Sequence, residues 1–311
     1  MIATVTLNAM LDKTVRLKSL RRGTIQRAAE MSMVAGGKGI NVARQLTVLG
    51  AATVATGFVG GETGAMIRKS LDADRVPHDF VETETLTREG VTYREDNGMV
   101  TSVFEPPASV APREAEQLIS KVTGMMAKSS WIVCSGSSPC ADSDDVFCVL
   151  VSKARQMGRK TVLDSYGPAL KRGWKEVPTL VKPNRQEYAA TFASNLRGIR
   201  SIRMALDEAL NLGIEYVVMT DGPGPTFAAS RDGYWKVQSP RIRTVNPVGS
   251  GDVMIAGVLY GLEQGWDFVR SLVFASAAGV ANAQVWDVAR CTLEDIANIE
   301  ASINVEKLAW S

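Results

Sequence analysis

The residues most able to do chemistry in this sequence lie in the segment VGSGD, a glycine-rich turn that ends in one acid. They are Gly249, Ser250, Gly251 and Asp252. We predict a helix over the apolar stretch 253–262, so the N–H groups before it point into one concavity. Such donors stabilise negative charge on a transferring phosphoryl group, and the carboxylate could take a proton from a hydroxyl. Aspartate is also common in the first turn of helices, so this segment alone leaves a purely structural role open.

A second glycine-rich segment, GGKGIN, carries a cation and an amide. Gly37 and the glycines beside it let a ligand approach the backbone, and the predicted helix after them offers free N–H groups to an anion. Lys38 adds a mobile positive charge, and Asn41 adds an amide that donates and accepts hydrogen bonds. The segment is not a P-loop, because Ile40 stands where Lys-Ser or Lys-Thr would complete that motif. A turn that only tightens strand-to-helix packing is the alternative.

Two further acids occupy positions typical of ligand sites. Asn184 and Glu187 have the spacing of a helix capping box, but Glu187 also suits an outer-shell Mg²⁺ site, because Mg²⁺ keeps most of its waters. The local sequence does not decide between these roles. Asp12 follows the first predicted strand, at the sheet edge where ligands of open α/β proteins collect.

Composition excludes several classes of function. The 311 residues carry a net charge of only +2, so neither nucleic acid nor an anionic membrane is expected as a partner. His78 is the only histidine, which rules out a histidine-based triad or a multi-histidine metal site. The four cysteines form no CxxC pair and suit a reducing compartment. No apolar run is long enough to span a membrane, and MIATVTLNAM suits a strand rather than a signal peptide, so we expect a cytoplasmic protein.

Strands and helices alternate along most of the chain. We predict buried strands at 2–7, 53–59, 131–136, 160–165 and 216–222, and helices at 39–49, 64–72, near 143–157 and at 199–212. This alternation predicts an α/β fold whose mostly parallel sheet is covered on both faces.

Two segments, 12–34 and 90–105, break this alternation with short runs that lack helical periodicity. In the second, Asn97 and Gly98 are predicted to supply the positive φ angles of a tight hairpin turn. We expect these segments to form a small sheet inserted as a lid into one large α/β domain that spans 1–311.

These motifs, in this order, resemble those of the ribokinase-like (PfkB) sugar kinases. TLNAMLD, GGKGINVA, VKPNRQEY, NPVGSGD and AAGVANA carry the resemblance, which extends over almost the whole chain. The glycine signatures favour the branch of 1-phosphofructokinase and tagatose-6-phosphate kinase. The resemblance implies a three-layer α/β/α fold with a β-sheet lid, and ATP as phosphoryl donor with Mg²⁺.

The resemblance also implies a role for each matching residue. Asp252 is then the base, and Gly249, Ser250 and Gly251 form the anion hole for the γ-phosphate. Residues implied to hold the acceptor sugar and its phosphate are Asp12, Arg27, Gly37, Lys38, Asn41 and Arg88. Residues implied near the nucleotide are Lys182, Asn184, Thr220, Asp221, Gly222 and Asn282, with Glu187 at the metal. A homodimer through the lid is also implied.

Some motifs depart from those of the family, and all the departures lie on the acceptor side. Ala9-Met10 replaces Pro-Ala, Glu89-Gly90 follows Arg88 in place of the usual residues, and the turns EPPA and SGSSPCA differ from EPGP and SGSLPPG. A kinase of a ketohexose phosphate is the leading hypothesis, with fructose 1-phosphate first and tagatose 6-phosphate second. The alternatives are a kinase of an unphosphorylated sugar or nucleoside, and a binding protein without turnover.

Overall fold

A computed structural model describes residues 1–310 and contains a sheet of ten strands and a smaller sheet of four. The strands are β1 (Ile2–Thr6), β2 (Met10–Leu17), β3 (Glu30–Gly36), β4 (Thr53–Val59), β5 (Val81–Glu82), β6 (Glu89–Glu95), β7 (Val100–Phe104), β8 (Trp131–Ser135), β9 (Lys160–Asp164), β10 (Leu180–Val181), β11 (Tyr216–Met219), β12 (Thr226–Ser230), β13 (Gly233–Gln238) and β14 (Asn304–Leu308). The helices are α1 (Lys38–Val48), α2 (Gly61–Ala73), α3 (Pro112–Met126), α4 (Val146–Gln156), α5 (Gly167–Trp174), α6 (Arg185–Phe192), α7 (Ile199–Leu212), α8 (Ser250–Glu263), α9 (Phe268–Ala283) and α10 (Leu293–Glu300).

The large sheet has the order β14-β13-β12-β11-β10-β9-β8-β1-β4-β5. Pairing is parallel from β5 to β11, and the last strands, β12 to β14, are antiparallel. Strands begin where they were predicted, at Ile2, Thr53, Trp131, Lys160 and Tyr216. Most end earlier than predicted, because the chain leaves the sheet at its carboxyl edge to form loops. The predicted α/β fold with a mostly parallel sheet is confirmed.

Helices cover both faces of this sheet, which gives three layers. Alternate side chains of β1 point to opposite faces: Ala3 and Val5 belong to a core shared with α3, α4, α5 and α7, whereas Ile2 packs with α1, α8 and α9. All five residues of β1 are buried, as expected for a central parallel strand rich in β-branched residues. In the described residues, no helix is both long and apolar enough to cross a lipid bilayer.

The small sheet has the order β3-β2-β6-β7, and its strands lie within or next to the segments predicted as a lid. Its central strands β2 and β6 are parallel, and the outer pairs are antiparallel. Asp12, Gly90 and Phe104 lie in register across β2, β6 and β7, so they share one face, which we call the inner face. The outer face carries the next row, formed by Met33, Lys13, Val91 and Val103.

The turn between β6 and β7 differs from the prediction. Only Gly98 has a positive φ, of 90°, so the prediction of positive angles at both Asn97 and Gly98 is wrong. The Gly98 N–H donates to the Glu95 carbonyl at 2.9 Å, and the Glu95 N–H donates to the Met99 carbonyl at 2.9 Å. This pattern belongs to a type I turn followed by a left-handed glycine, which needs a single positive φ.

Candidate active site

The glycine turn forms the beginning of α8, which starts at Ser250 and not at Val253 as predicted. Gly249 is the residue before the first helical turn and has φ +77°, a left-handed conformation that favours glycine. Ser250, Gly251 and Asp252 therefore all lie in the first turn, where backbone N–H groups have no carbonyl four residues back within the helix. The Ser250 N–H donates to the Pro247 carbonyl at 3.3 Å, so the turn presents the N–H groups of Gly251 and Asp252 and one carboxylate at the positive end of a buried helix.

Asp252 is 5% exposed, and its Oδ2 accepts a hydrogen bond from Asn41 Nδ2 at 2.8 Å. Burial raises the pKa of the Asp252 carboxyl to about 7, although the Lys38 ammonium acts in the opposite direction. The Asp164 carboxylate raises this pKa further. A carboxyl that titrates near neutral pH can accept a proton from a hydroxyl and release it again.

The Lys38 side chain lies between two carboxylates rather than in open space. Its Nζ is 2.8 Å from Glu187 Oε1 and 3.5 Å from Asp164 Oδ2. Burial acts to lower the pKa of Lys38, but Asp164 and Glu187 outweigh it and raise that pKa above its ordinary value. The predicted contact of Lys38 with the acceptor stays a prediction. In the structure, its ammonium neutralises the acids on the Glu187 side of the site.

Asp164, at the end of β9, was missed in the sequence. It is fully buried, Lys182 Nζ lies 3.2 Å from its Oδ1, and Ser135 Oγ donates to its Oδ2 at 3.0 Å. Burial opposes its ionisation, but Lys182 and Lys38 hold the pKa of Asp164 below its usual range. An acid at the carboxyl end of a predicted parallel strand was the available signal.

The capping box at the start of α6 is confirmed. Glu187 N–H donates to Asn184 Oδ1 at 2.8 Å, and Asn184 N–H donates to Glu187 Oε2 at 2.9 Å. Because Glu187 Oε1 also accepts from Lys38, this carboxylate both caps a helix and faces the site. The structural and functional roles that the sequence left open are therefore compatible.

Of the residues predicted to line the nucleotide, Thr220, Asp221 and Gly222 follow β11 beside α6, and Asn282 lies in the last turn of α9. The Thr220 carbonyl accepts from Arg185 N–H at 2.9 Å, and the Asp221 carboxylate accepts from the Arg185 guanidinium. Gly222, the next residue, is exposed and has φ +55°. Asn282 is 1% exposed, and its Nδ2 donates to the Val248 carbonyl at 2.8 Å.

Asn282 thus holds the loop before α8. It also donates to Ser250 Oγ at 3.1 Å and accepts from Ala289 N–H at 2.8 Å, so its amide is satisfied inside the protein. Its predicted place beside an adenine stays a prediction.

Asp12 and Gly37 lie where the small sheet joins the large domain. Asp12 is 8% exposed, and its Oδ1 is buried without a hydrogen-bond partner among residues 1–310. Burial raises the pKa of Asp12, with Arg44 opposing. Gly37 has φ +130°, and a Cβ there would lie 2.7 Å from Thr6 Cγ2, so this turn requires glycine. An unpaired buried oxygen is costly unless a ligand hydroxyl satisfies it.

The predicted cations of the small sheet differ in their surroundings. The guanidinium of Arg88 lies 6.0 Å from the Phe104 ring centroid, beside the inner face. Burial lowers the pKa of Arg88. Arg27 lies on the connection between β2 and β3, is exposed, and has no partner in the described chain. Glu89 points to the outer face and pairs with Lys13, so it does not oppose a phosphate at the inner face.

Arg94, on β6, links the small sheet to the loop before α8 and was also missed. Its guanidinium donates to the Val245 carbonyl and lies 4.1 Å from the Trp286 ring centroid. Nothing local in the sequence indicates this contact, because Arg94 and Val245 are far apart along the chain.

Solved structures of other proteins share this fold over almost the whole chain, and a family comparison identifies the family. A possible 1-phosphofructokinase from Thermotoga maritima is 26% identical, with 99% of each chain covered and a TM-score of 0.92. Phosphofructokinase-2 from Escherichia coli in complex with fructose-6-phosphate is 27% identical, with 96% of this chain and 98% of that one covered and a TM-score of 0.86. The tetrameric inhibited form of the latter enzyme is 28% identical over the same shares, with a TM-score of 0.88.

The sequence profile of the pfkB family carbohydrate kinases matches residues 5–295, a range that contains both glycine segments, Asp12 and the Asn184–Glu187 pair. The chain belongs to the pfkB family of carbohydrate kinases, and its fold is the ribokinase-like α/β fold of that family.

Proposed function

We propose that this protein transfers the γ-phosphoryl group of ATP to a hydroxyl of a ketohexose phosphate. The observation that carries the proposal is the buried Asp252 carboxyl in the first turn of α8, bonded to Asn41 and within the electrostatic influence of Lys38. Fructose 1-phosphate is the first candidate acceptor and tagatose 6-phosphate the second. The solved relatives include an enzyme in complex with fructose-6-phosphate, which adds a third.

The proposed mechanism assigns proton transfer to Asp252. Phosphoryl transfer proceeds through a loose transition state, so catalysis consists mainly of positioning and charge stabilisation. Asp252 accepts the proton of the acceptor hydroxyl. The first-turn N–H groups that follow Gly249 stabilise the negative charge on the transferring group, together with the helix dipole.

The carboxylate of Glu187 suits a Mg²⁺ ion that arrives with ATP and keeps most of its water ligands. In residues 1–310 no cluster of three or more His, Cys, Asp or Glu side chains is suited to enclose a metal ion. Glu187 is the residue that we propose to hold Mg²⁺ through water, since its carboxylate faces the site and is balanced by Lys38. When bound, Mg²⁺ would neutralise charge on the phosphate oxygens.

We propose that the acceptor lies between the inner face of the small sheet and α8. The unpaired Oδ1 of Asp12 suits a sugar hydroxyl, and the Arg88 guanidinium suits a phosphate. Closure of the small sheet as a lid would exclude water and limit wasteful hydrolysis of ATP. The free cysteines suit a cytoplasmic enzyme.

A matched pair of variants tests the base. ATP consumption is measured with a panel of free and phosphorylated ketohexoses for the wild type, Asp252→Asn and Asp295→Asn. Asp295 is the control because it also occupies the third position of a helix, α10, outside the site. We expect Asp252→Asn to lower kcat by about 10²–10⁴-fold with ATP affinity kept, and Asp295→Asn to keep its activity.

Two results would contradict the proposal. Normal turnover by Asp252→Asn would show that another group takes the proton. A wild type that phosphorylates no member of the panel, while still binding ATP, would favour a binding protein without turnover.

A further inference from the structure

Arg44, on α1, is a buried cation to which no role has been assigned. It is connected to the proposed base, Asp252, through a single intervening side chain, that of Asn41. Its side chain is 1% exposed. Nη1 donates to Asn41 Oδ1 at 3.0 Å, Nη2 donates to the Ala35 carbonyl at 2.6 Å, and Nε donates to Asp74 Oδ2 at 2.8 Å. Each nitrogen of the guanidinium thus has its own partner.

The contact with Asn41 determines which way that amide points. A guanidinium only donates hydrogen bonds, so the Asn41 oxygen must face Arg44. The Asn41 nitrogen then faces Asp252 Oδ2, to which it donates at 2.8 Å. The three-residue spacing of Asn41 and Arg44 on α1 places both side chains on one face of the helix.

This arrangement leaves the two Asp252 oxygens unequal. Oδ2 is bonded to Asn41, whereas Oδ1 accepts no hydrogen bond from residues 1–310. A rotated amide would bring its carbonyl oxygen against the carboxylate, remove one stabilising hydrogen bond and add a repulsion. Both effects disfavour the ionised form that a base needs.

We propose that Arg44 is a positioning residue, which holds the Asn41 amide so that it orients and stabilises the Asp252 carboxylate. The inference rests on the proposed function, because it assigns Asp252 as base. Arg44 touches neither Asp252 nor the proposed position of the acceptor, and it acts through Asn41. Its bond to Ala35, in β3, also ties this arrangement to the base of the small sheet.

A merely structural role is the competing explanation, and the structure offers a way to separate the two. Asp74 balances the charge of Arg44 and also accepts from Arg290 Nη2 at 2.6 Å. Loss of the Asp74 charge should destabilise the fold, because it leaves a buried cation unpaired. It leaves the Arg44–Asn41 bond in place, so Asp74→Asn is a control for stability alone.

The experiment measures the pKa of Asp252 directly. The charged groups that act on this carboxyl are Lys38 on α1, Asp164 on β9 and Lys182 after β10, and none of them is changed. The ¹³Cγ shift of Asp252, assigned with Asp252→Asn, is followed against pH in the wild type, Arg44→Met, Arg44→Lys and Asp74→Asn. The kcat/KM profile is measured in parallel.

We expect the Asp252 pKa to rise by about 0.5 or more in Arg44→Met, by less in Arg44→Lys, and to stay near the wild-type value in Asp74→Asn. The acid limb of kcat/KM should move to higher pH in the same order. In an Asn41→Leu background, replacing Arg44 should not change the Asp252 pKa further, because the two act through one amide.

Equal pKa values in the wild type and Arg44→Lys would overturn the proposal, as would a shift in Asp74→Asn as large as that in Arg44→Met. Should the Arg44 variants not fold, the wild type still decides: the Asn41 side-chain NH₂ resonances must follow the titration of Asp252, and their failure to do so would refute the orientation. The NMR titration needs no turnover. A confirmed shift in a protein that phosphorylates nothing would therefore refute the proposed function and leave the positioning role standing.

Discussion

At the scale of single residues, Asp252 shows how one side chain serves both the fold and the proposed chemistry. It occupies the first turn of α8, where a carboxylate is favoured by the helix dipole. It is also almost completely buried, which disfavours its charge. The opposing effects, together with the bond from Asn41, produce a carboxyl whose proton affinity suits neutral pH.

The pKa of Asp252 predicts how activity depends on pH. A base must be ionised, and burial raises this pKa from 3.8 to about 7. We therefore expect kcat/KM to fall as the pH is lowered through about 7, where an unperturbed aspartate would keep activity down to about 4. A pH series of kcat/KM for the acceptor, measured at saturating MgATP, checks this. A profile that is flat from pH 5 to 8 would show that Asp252 is not the group that titrates.

At the scale of elements, the position of the small sheet depends on contacts that join it to loops of the large domain. β3 runs directly into α1 through Gly37, and β6 reaches the loop before α8 through Arg94. The second contact adds the stacking of the guanidinium on Trp286. Both links connect the small sheet with elements that carry residues of the proposed site, namely α1 with Asn41 and the loop before α8.

Arg94→Ala should loosen this connection. A cation–π contact contributes about 1 kcal/mol, so we expect KM for the acceptor to rise by about fivefold, and a larger share of ATP to be hydrolysed without transfer. The ratio of ADP formed to sugar phosphorylated measures this loss. Arg270→Ala is the matched control, because Arg270 lies 4.2 Å from the Trp266 ring centroid, away from the small sheet. Equal ratios in both variants would contradict a role for Arg94 in closure.

At the scale of the whole molecule, the outer face of the small sheet exposes several large apolar side chains beside the Lys13–Glu89 ion pair. Met31 is 58% exposed, Met33 42% and Val103 61%. Exposed apolar side chains on a sheet face are typical of a protein–protein interface, and a second copy of this chain is the occupant that we propose.

Val103→Lys should weaken this association, since it places a charge on the β7 side of the outer face, where Val103 is 61% exposed. We expect the sedimentation-derived mass to shift from dimer to monomer at micromolar concentration. Ile199→Lys is the control, because Ile199 is 52% exposed at the start of α7, far from the small sheet in sequence. An unchanged mass in Val103→Lys, or monomeric wild type, would contradict an interface at the outer face.

The sequence predicted most of the elements and fewer of the interactions between them. Buried parallel strands produce continuous β-branched runs, so β1 and β4 were found with their starting residues. The start of α8 was placed too late, because Ser250 and Gly251 are weak helix formers, and the buried apolar face of the helix outweighs that preference. The turn at Gly98 differed because its loop length selects another turn type.

By itself the sequence determined the α/β class, the family and most of the candidate site residues. The class follows from local periodicity, and the family and the candidate residues follow from short motifs. Only the tertiary structure decided which groups meet. Lys38 pairs with Glu187 and Asp164, Arg44 orients Asn41, and Glu89 turns to the outer face. These pairings depend on the packing of elements distant in the chain, and contacts of that kind leave no periodic signal in one sequence.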